Sequence, residues 1–318
     1  MRLARRRRLP DSRRVTVVVD ALGREVQSQE PPRRVVSLVP SETYSVAVLA
    51  GVERLVGRTR YCVEPSIEHV LVVGGTKDVD VEAVVALGPD LVLANREENA
   101  RGPVEALIAR GLPVHVSFPC SVADSVVHLR DLARLLHVED AHADALATLH
   151  DELARDPLPP VPAFVPIWND PWMTFDARAF ASDVLELAGA SNVFADRPRR
   201  YPLAADLGQR APLPPERVEG RDTRYPRVTL EEIRDRAPQL VLLPDEPHEF
   251  TEADAQTLEA LGIPRASIRF VSGKDLFWYG AWLLEGLPRL RASLHAESQR
   301  ADGSIDRVPA KDATRTKR

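Results

Sequence analysis

Aromatic side chains make up only 5% of this chain, and its 318 residues include just two cysteines and two methionines. Two cysteines, Cys62 and Cys120, rule out a disulfide framework and a cysteine-based zinc site. They read as buried or incidental thiols, with a ligand pair or a single disulfide as the alternative. Lysine occurs only at positions 77, 274, 311 and 317, so almost all positive charge is arginine, as a GC-rich coding sequence gives. No run of ~18 apolar residues exists to form a membrane span. The net charge of −5 excludes a general nucleic-acid binder. Neither G-x-S-x-G, a phosphate-binding G-x-x-x-x-G-K-[ST], H-E-x-x-H nor C-x-x-C is present, and "VGGTKD" (73–78) lacks the phosphate-loop spacing. Nothing in the motifs proposes an enzyme. His128, His137, His142 and His150 share no helix face and read as surface residues.

The N-terminus "MRLARRRRLPDSRRVTVVVD" is basic but has no apolar segment of ~7–15 residues behind it. As written, a cytoplasmic protein is expected; a start codon further upstream would make it periplasmic.

What the chain does contain is an internal repeat. "VEAVVALGPDLVLA" (81–94) matches "LEEIRDRAPQLVLL" (230–243): a short helix opening with glutamate, a proline turn and a β-branched strand. "EALIARGLPVHVS" (105–117) matches "QTLEALGIPRASIRFVS" (256–272), and "SVAVLAGVERLVG" (45–57) matches "DVLELAGASNVFA" (183–195). Three blocks in the same order predict two α/β lobes of one architecture. Between them, residues 121–157 carry apolar residues at helical spacing with no glycine or proline; Asp140 and its neighbours could break or cap the run near its middle, and "PLPPVP" stops it. One long, stiff helix is therefore expected to join the lobes and hold them nearly fixed. The expected organisation is a basic tail (1–14), a first lobe (15–120), the helical region (121–157), a second lobe (158–295) and a disordered tail (296–318).

Two such lobes form a cleft at the carboxyl ends of their strands, where ligands bind in open α/β sheets. The few rings gather there. "GKDLFWYGAW" (273–282) packs four of them into six positions behind the strand "SIRFV". "PIWNDPWMTF" (166–175) carries Trp168, Trp172 and Phe175, while Tyr61 and Tyr225 lie in loops. Such a wall suits a large ligand with a conjugated or greasy face. Trp282 opens a helix and is assigned to core; Trp168, Trp172, Trp278 and Tyr279 are assigned to the cleft, since their neighbours are polar. Asp170, Asp245, Glu246 and His248 form the one polar cluster an enzyme could use, against a plain reading as solvated loop charge.

The stretches "RRVVSLVPSETYSVAVLAGVERLVGRTRYCVEP", "VGGTKDVDVEAVVALGPDLVLA" and "RYPRVTLEEI…APQLVLLPDEP" resemble the helical-backbone class of ABC-importer substrate-binding proteins, which includes cobalamin and ferric-siderophore binders. The resemblance spans roughly residues 15–295. It implies Rossmann-like lobes bridged by one backbone helix, and a non-catalytic receptor for a corrinoid or related metal chelate, bound as ligand with no cofactor required. It places Tyr61, Trp168 and Tyr225 where the cobalamin binder packs rings on its corrinoid, and Asp275–Tyr279 in another ligand-facing loop. The resulting ligand set is Tyr61, Thr76, Trp168, Trp172, Tyr225, Lys274, Asp275, Phe277, Trp278 and Tyr279, with Lys274 and Asp275 orienting side groups. Thr76 stands where that binder has a further tryptophan. Glu82 and Glu231 match two carboxylates that dock onto a permease; each also sits in a first helical turn, where the helix dipole alone favours it. An extra segment near 199–223, rich in proline, glycine and charge, reads as a disordered surface insertion, with a lid or partner contact as the alternative. A monomer is expected, with a ferric-siderophore or haem importer component, or a cytosolic tetrapyrrole- or metal-handling enzyme or chaperone, as the other readings.

Overall fold

The computed structural model describes residues 16–28 and 30–295. The basic tail and the C-terminal tail read from the sequence lie outside the described residues. A hairpin of β1 (Thr16–Val19) and β2 (Glu25–Ser28) precedes the first lobe. That lobe runs β3 (Val35–Ser37), α1 (Pro40–Ala50), β4 (Leu55–Arg58), β5 (Leu71–Val72), α2 (Val81–Leu87), β6 (Leu91–Asn95), α3 (Arg101–Ala109) and β7 (Val114–Ser117). Its five strands pair in parallel in the order β5-β4-β3-β6-β7. Every residue of β6 and β7 is buried, as expected for strands covered on both faces.

Two helices follow, α4 (Val122–Leu136) and α5 (Ala141–Arg155). The second lobe then runs β8 (Val161–Phe164), the short ribbon β9 (Trp168–Asn169) and β10 (Trp172–Met173), α6 (Phe180–Ala188), β11 (Ala190–Asn192), α7 (Leu203–Asp206), α8 (Leu230–Asp235), β12 (Leu240–Pro244), α9 (Glu252–Glu259), β13 (Ile268–Val271), α10 (Lys274–Phe277) and α11 (Leu283–His295). Its sheet is parallel in the order β11-β8-β12-β13. With β5 set aside, the first sheet has the same order, so the repeat seen in sequence is a repeat of topology.

The expected single helix over 121–157 is broken. His137 adopts a left-handed conformation (φ 53°), and the amides of His137 and Val138 bond back to the carbonyls of Arg134 and Ala133. This is a helix-terminating motif usually built on glycine; the sequence marked Asp140, which precedes α5, but not the histidine that ends α4. Only α4 bridges the lobes. Its first half (Val122, Val126, Leu129) packs into the second-lobe core, and its last turns (Leu132, Leu135, Leu136) into the first. Helix α5 folds back, placing Ala143 and Leu146 in the second-lobe core. Fifteen residues of α4 span ~22 Å, enough to link two sheets side by side.

The segment near 199–223, expected as a disordered surface loop, lies on the surface but is ordered and anchored at its base, where Ala205 and Asp206 are buried. Buried Arg197 pairs with Asp206 at 3.0 Å and with Glu232 at 2.8 Å. Tyr201 is flanked by the guanidinium groups of Arg199 and Arg221, and its hydroxyl donates to the Asp222 carbonyl at 2.8 Å.

Candidate functional site: the junction between the lobes

The carboxyl ends of the two sheets meet through side chains. Tyr279, eight residues past β13, reaches the ends of β6 and β7. Its hydroxyl accepts from Asn95 Nδ2 (3.2 Å), lies 2.8 Å from Ser117 Oγ, and donates to Glu42 Oε1 on α1 (3.0 Å). The other Glu42 oxygen is 3.0 Å from His128 Nε2 on α4. His115 stacks on His128, and Tyr279 meets His128 edge to face. Glu42, His128 and Tyr279 are 0%, 7% and 4% exposed. One carboxylate thus links the first lobe, the bridging helix and the second lobe.

Backbone contacts complete this floor. The Gly280 amide donates to Ser125 Oγ (2.6 Å) and the Ala281 amide to Ser45 Oγ (3.1 Å). Gly280 has φ 80°, and a Cβ there would lie 2.4 Å from Ser45 Oγ. Left-handed strain alone costs ~1–2 kcal/mol in a residue with a side chain. Gly280→Ala is therefore expected to lower the unfolding free energy by at least ~1 kcal/mol, measured by urea denaturation.

The charges of the floor are set by burial and by each other. Burial alone would raise the Glu42 carboxyl, but His128 beside it holds it below the ordinary value of 4.5. Burial alone would lower His128; Glu42 raises it above 6.5. His115 is lowered to about 4 by burial and then by His128. These shifts give signed consequences. The His128 contribution is full below pH 6.5 and is lost as pH rises through its raised value. The Glu42 contribution is full above pH 4.5 and is lost as pH falls through its lowered value. Neutral His115 stabilises the fold above pH 6.5, and this is lost between 6.5 and about 4. Unfolding free energy should fall on acidification through that window, and His115→Gln should flatten this limb in urea titrations at pH 4–8.

Several residues assigned to the ligand wall are used by the protein itself. Tyr279 belongs to the floor. Trp172 is 8% exposed, in the second-lobe core between Phe164 and Phe250. Trp278 is 6% exposed; its Nε1 donates to Glu246 Oε1 at 2.5 Å and its ring packs on Trp282. Asp275 is buried and accepts from Trp282 Nε1 (2.9 Å) and from Arg289 Nε (2.8 Å) and Nη2 (2.7 Å). Lys274 crosses to the first lobe and pairs with Glu64 at 3.0 Å, beneath the Trp278 and Trp282 rings. Phe277 is half-buried against Phe175. Trp282, assigned to core, is half-buried and edge-on to Tyr44 of α1. The polar residues that flank these rings in sequence are engaged inside the fold: Asp275 holds Trp282 and Arg289, Lys274 pairs with Glu64, and Asn169 donates to Asp254.

Two rings of the expected set are exposed. Tyr61 follows β4 and is 55% exposed; Trp168 follows β8 and is 44% exposed, resting on His248 at 4.8 Å. They come from different lobes, both just beyond the carboxyl end of a strand. Thr76 is half-buried, and its carbonyl accepts from Asn99 Nδ2 (3.0 Å). Tyr225 is half-buried and its hydroxyl donates to Glu97 of the opposite lobe. Burial and that carboxylate push its phenol well up, so it stays a neutral donor.

Sequence reasoning missed Glu42, Glu64, Glu97, Glu98, Arg224 and His128. The Glu98 carboxyl is pushed up to about 8 by burial and by Glu97, Glu246 and Glu42. His128 was legible: it lies three residues after Ser125 and four before Leu132, both buried on the same face of α4. The repeat also signals Glu97, since "LVLANRE" and "LVLLPDE" put Glu97 and Glu246 at equivalent positions.

The polar cluster nominated for catalysis is divided among loop contacts. Asp245 accepts from the Gly273 amide, Glu246 holds Trp278, and His248 lies between Trp168 and Phe250. Among the described residues, no three His, Cys, Asp or Glu side chains are grouped to hold a metal ion. Cys62 and Cys120 are free thiols. Glu82 and Glu231 are both exposed in the first turns of α2 and α8. Arg110 pairs with Glu82 at 2.6 Å and holds its carboxyl below the ordinary range. The carboxyl of Glu231 is lowered by its own amide and by the Thr229 hydroxyl.

Paired α/β lobes, a bridging helix and a junction at the strand ends make a body suited to holding a ligand between its halves. The chain belongs to the periplasmic binding protein family, whose model matches residues 35–258. Members of this family are substrate-binding proteins, and the chain is a binding protein, not an enzyme. It is 30% identical over 243 residues to a vitamin B12-binding protein of Yersinia pestis (strain Pestoides F), covering 73% of this chain and 76% of that one. Among solved structures, it resembles the periplasmic vitamin B12 binding protein of Vibrio cholerae, with a TM-score of 0.63, 19% identity, and coverage of 85% of this chain and 99% of the other. A periplasmic heme-binding protein from Roseiflexus sp. RS-1 gives a TM-score of 0.67 at 16% identity, covering 84% and 99%. The expected fold class and receptor class are borne out. The cytoplasmic placement finds no support in these comparisons. No described helix is long and apolar enough to cross a membrane.

Proposed function

We propose that the protein is a receptor for a corrinoid or a chemically related metal chelate, bound at the junction between the lobes against Tyr61 and Trp168. The observation that carries this reading is the pair of exposed rings, one from each lobe, in a chain otherwise sparing with aromatics and related to vitamin B12-binding proteins. An exposed indole and phenol offer flat apolar surface to a macrocycle, and stacking adds ~0.5–1.5 kcal/mol per ring beyond area burial. Tyr225 and Thr76 lie on nearby loops and complete the proposed contact set. Lys274, Asp275, Phe277, Trp278, Tyr279 and Trp172 support it by positioning those loops. The test is quenching of tryptophan fluorescence by cobalamin, cobinamide and haemin. Saturable one-to-one quenching by a corrinoid at micromolar or lower concentration supports the reading. Saturation by haemin alone moves the ligand to porphyrins, and no saturation by any of the three refutes the chelate assignment.

A periplasmic location and delivery to an ABC permease fit the family description. Glu82 and Glu231 occupy equivalent, exposed positions in the two lobes and are the proposed docking carboxylates, with the protein acting as a monomer. Glu231 is the more available of the two, since Arg110 already holds Glu82. Loss of ligand-dependent ATPase stimulation in a Glu82→Ala, Glu231→Ala double variant with the permease would support docking, and full stimulation would exclude it.

A further inference from the structure

We propose that Glu97 and Arg224 are positioning residues that latch Tyr225 across the junction, and that a ligand must break this latch to enter. The proposal rests on the chelate-receptor reading and concerns how that same site is opened.

Glu97 extends from the carboxyl end of β6 on a loop with little freedom. Asn95 Oδ1 accepts from the amides of Glu97 (2.8 Å) and Glu98 (3.1 Å), and Lys77 Nζ donates to the Glu97 carbonyl at 2.8 Å. Both carboxylate oxygens face the second lobe. One accepts from the Tyr225 hydroxyl and the other from Arg224 Nη1 at 3.3 Å.

The opposite half of the latch is equally prepared. Asp222 takes Arg224 Nε (3.0 Å) and Nη2 (2.6 Å), which aims Nη1 at Glu97. The guanidinium lies against the rings of Phe118 in the first lobe (4.9 Å) and Tyr225 (5.2 Å). The segment carrying these residues is pinned at its base by buried Asp206, which accepts from the amides of Arg200 and Arg227, each at 2.8 Å. The 199–223 segment, anchored at Asp206, thus leads into a strap that reaches the other lobe.

The lobes themselves are fixed by α4 and by the Tyr279 floor, so opening involves displacement of the strap rather than rotation of a lobe. While the strap is latched, the hydroxyl edge of Tyr225 is occupied by Glu97. A site open only part of the time binds more weakly in proportion to the open fraction. Removing charge-assisted hydrogen bonds of this kind should raise that fraction by about tenfold or more.

Two variants test this. Glu97→Ala removes the acceptor, and Tyr225→Phe removes only the hydroxyl while keeping the ring. In ligand-free protein, amide hydrogen exchange over residues 222–228 should quicken at least tenfold in both, with exchange in α4 unchanged. Stopped-flow association of cobinamide, or of haemin if that is the probe that binds, should quicken by a similar factor, with less change in dissociation. Unchanged exchange at 222–228 overturns the latch whatever the ligand is. Faster exchange with unchanged or slower association overturns its gating role. If neither probe binds, the chelate reading fails on its own and the exchange result alone decides the latch. Should Glu97→Ala fail to fold, Tyr225→Phe carries the same comparison.

Discussion

Replacing Glu42 with alanine should lower the unfolding free energy by about 3–5 kcal/mol, the usual cost of removing one partner from a buried ion pair. Glu42 is fully buried and serves three elements: α1 carries it, His128 of α4 pairs with it, and Tyr279 donates to it. Its loss strands a buried imidazole and a buried phenol together, and both must then find new partners or shed their polarity. The effect should be largest near neutral pH, between the lowered titration of Glu42 and the raised titration of His128. Glu42→Gln keeps an acceptor for Tyr279 and should cost distinctly less. Equal stability of wild type and Glu42→Ala in urea denaturation at pH 7 would show that the floor network does not hold the lobes together.

The second large effect concerns binding. Tyr61→Ala combined with Trp168→Ala should weaken corrinoid affinity by at least tenfold, with the urea midpoint little changed. Each ring is about half exposed, so each has ~100 Å² to offer a ligand, worth ~2.5 kcal/mol at ~25 cal/mol per Å². Even partial use of both exceeds the 1.4 kcal/mol that a tenfold loss requires. Trp278 makes a poorer probe than its sequence neighbourhood suggests. It is buried and hydrogen-bonded to Glu246, so its removal would disturb the loop and confuse binding with folding. Unchanged affinity in the Tyr61, Trp168 variant would move the ligand away from these rings.

The lobes were legible because their signals are local and occur twice. A strand of β-branched residues, a glutamate in a first helical turn and a glycine or proline at the next corner each announce themselves within a few residues. A break near Asp140 was legible as an alternative, and Asp140 does precede α5; the cap on His137 was not, because a left-handed conformation on a non-glycine residue depends on what surrounds it. The site was only partly legible for a related reason. Composition showed that rings cluster at strand ends, but not which of them face outward. Polar neighbours such as Asp275 suggested solvent, and Glu246 read as solvated loop charge. In the fold these groups accept from the indoles of Trp282 and Trp278, which is how an aromatic residue with a polar atom becomes buried. Glu42 and Glu97 left weaker traces still, since their partners Tyr279 and Tyr225 are 237 and 128 residues away.

The most direct test of the receptor assignment is isothermal titration calorimetry of the purified protein with cobinamide, followed by chromatography of the recovered ligand. The account predicts one site per chain with micromolar or tighter affinity, and a ligand recovered unchanged after prolonged incubation. A chemically altered ligand, or no saturable heat with cobinamide, cobalamin or haemin, would contradict it.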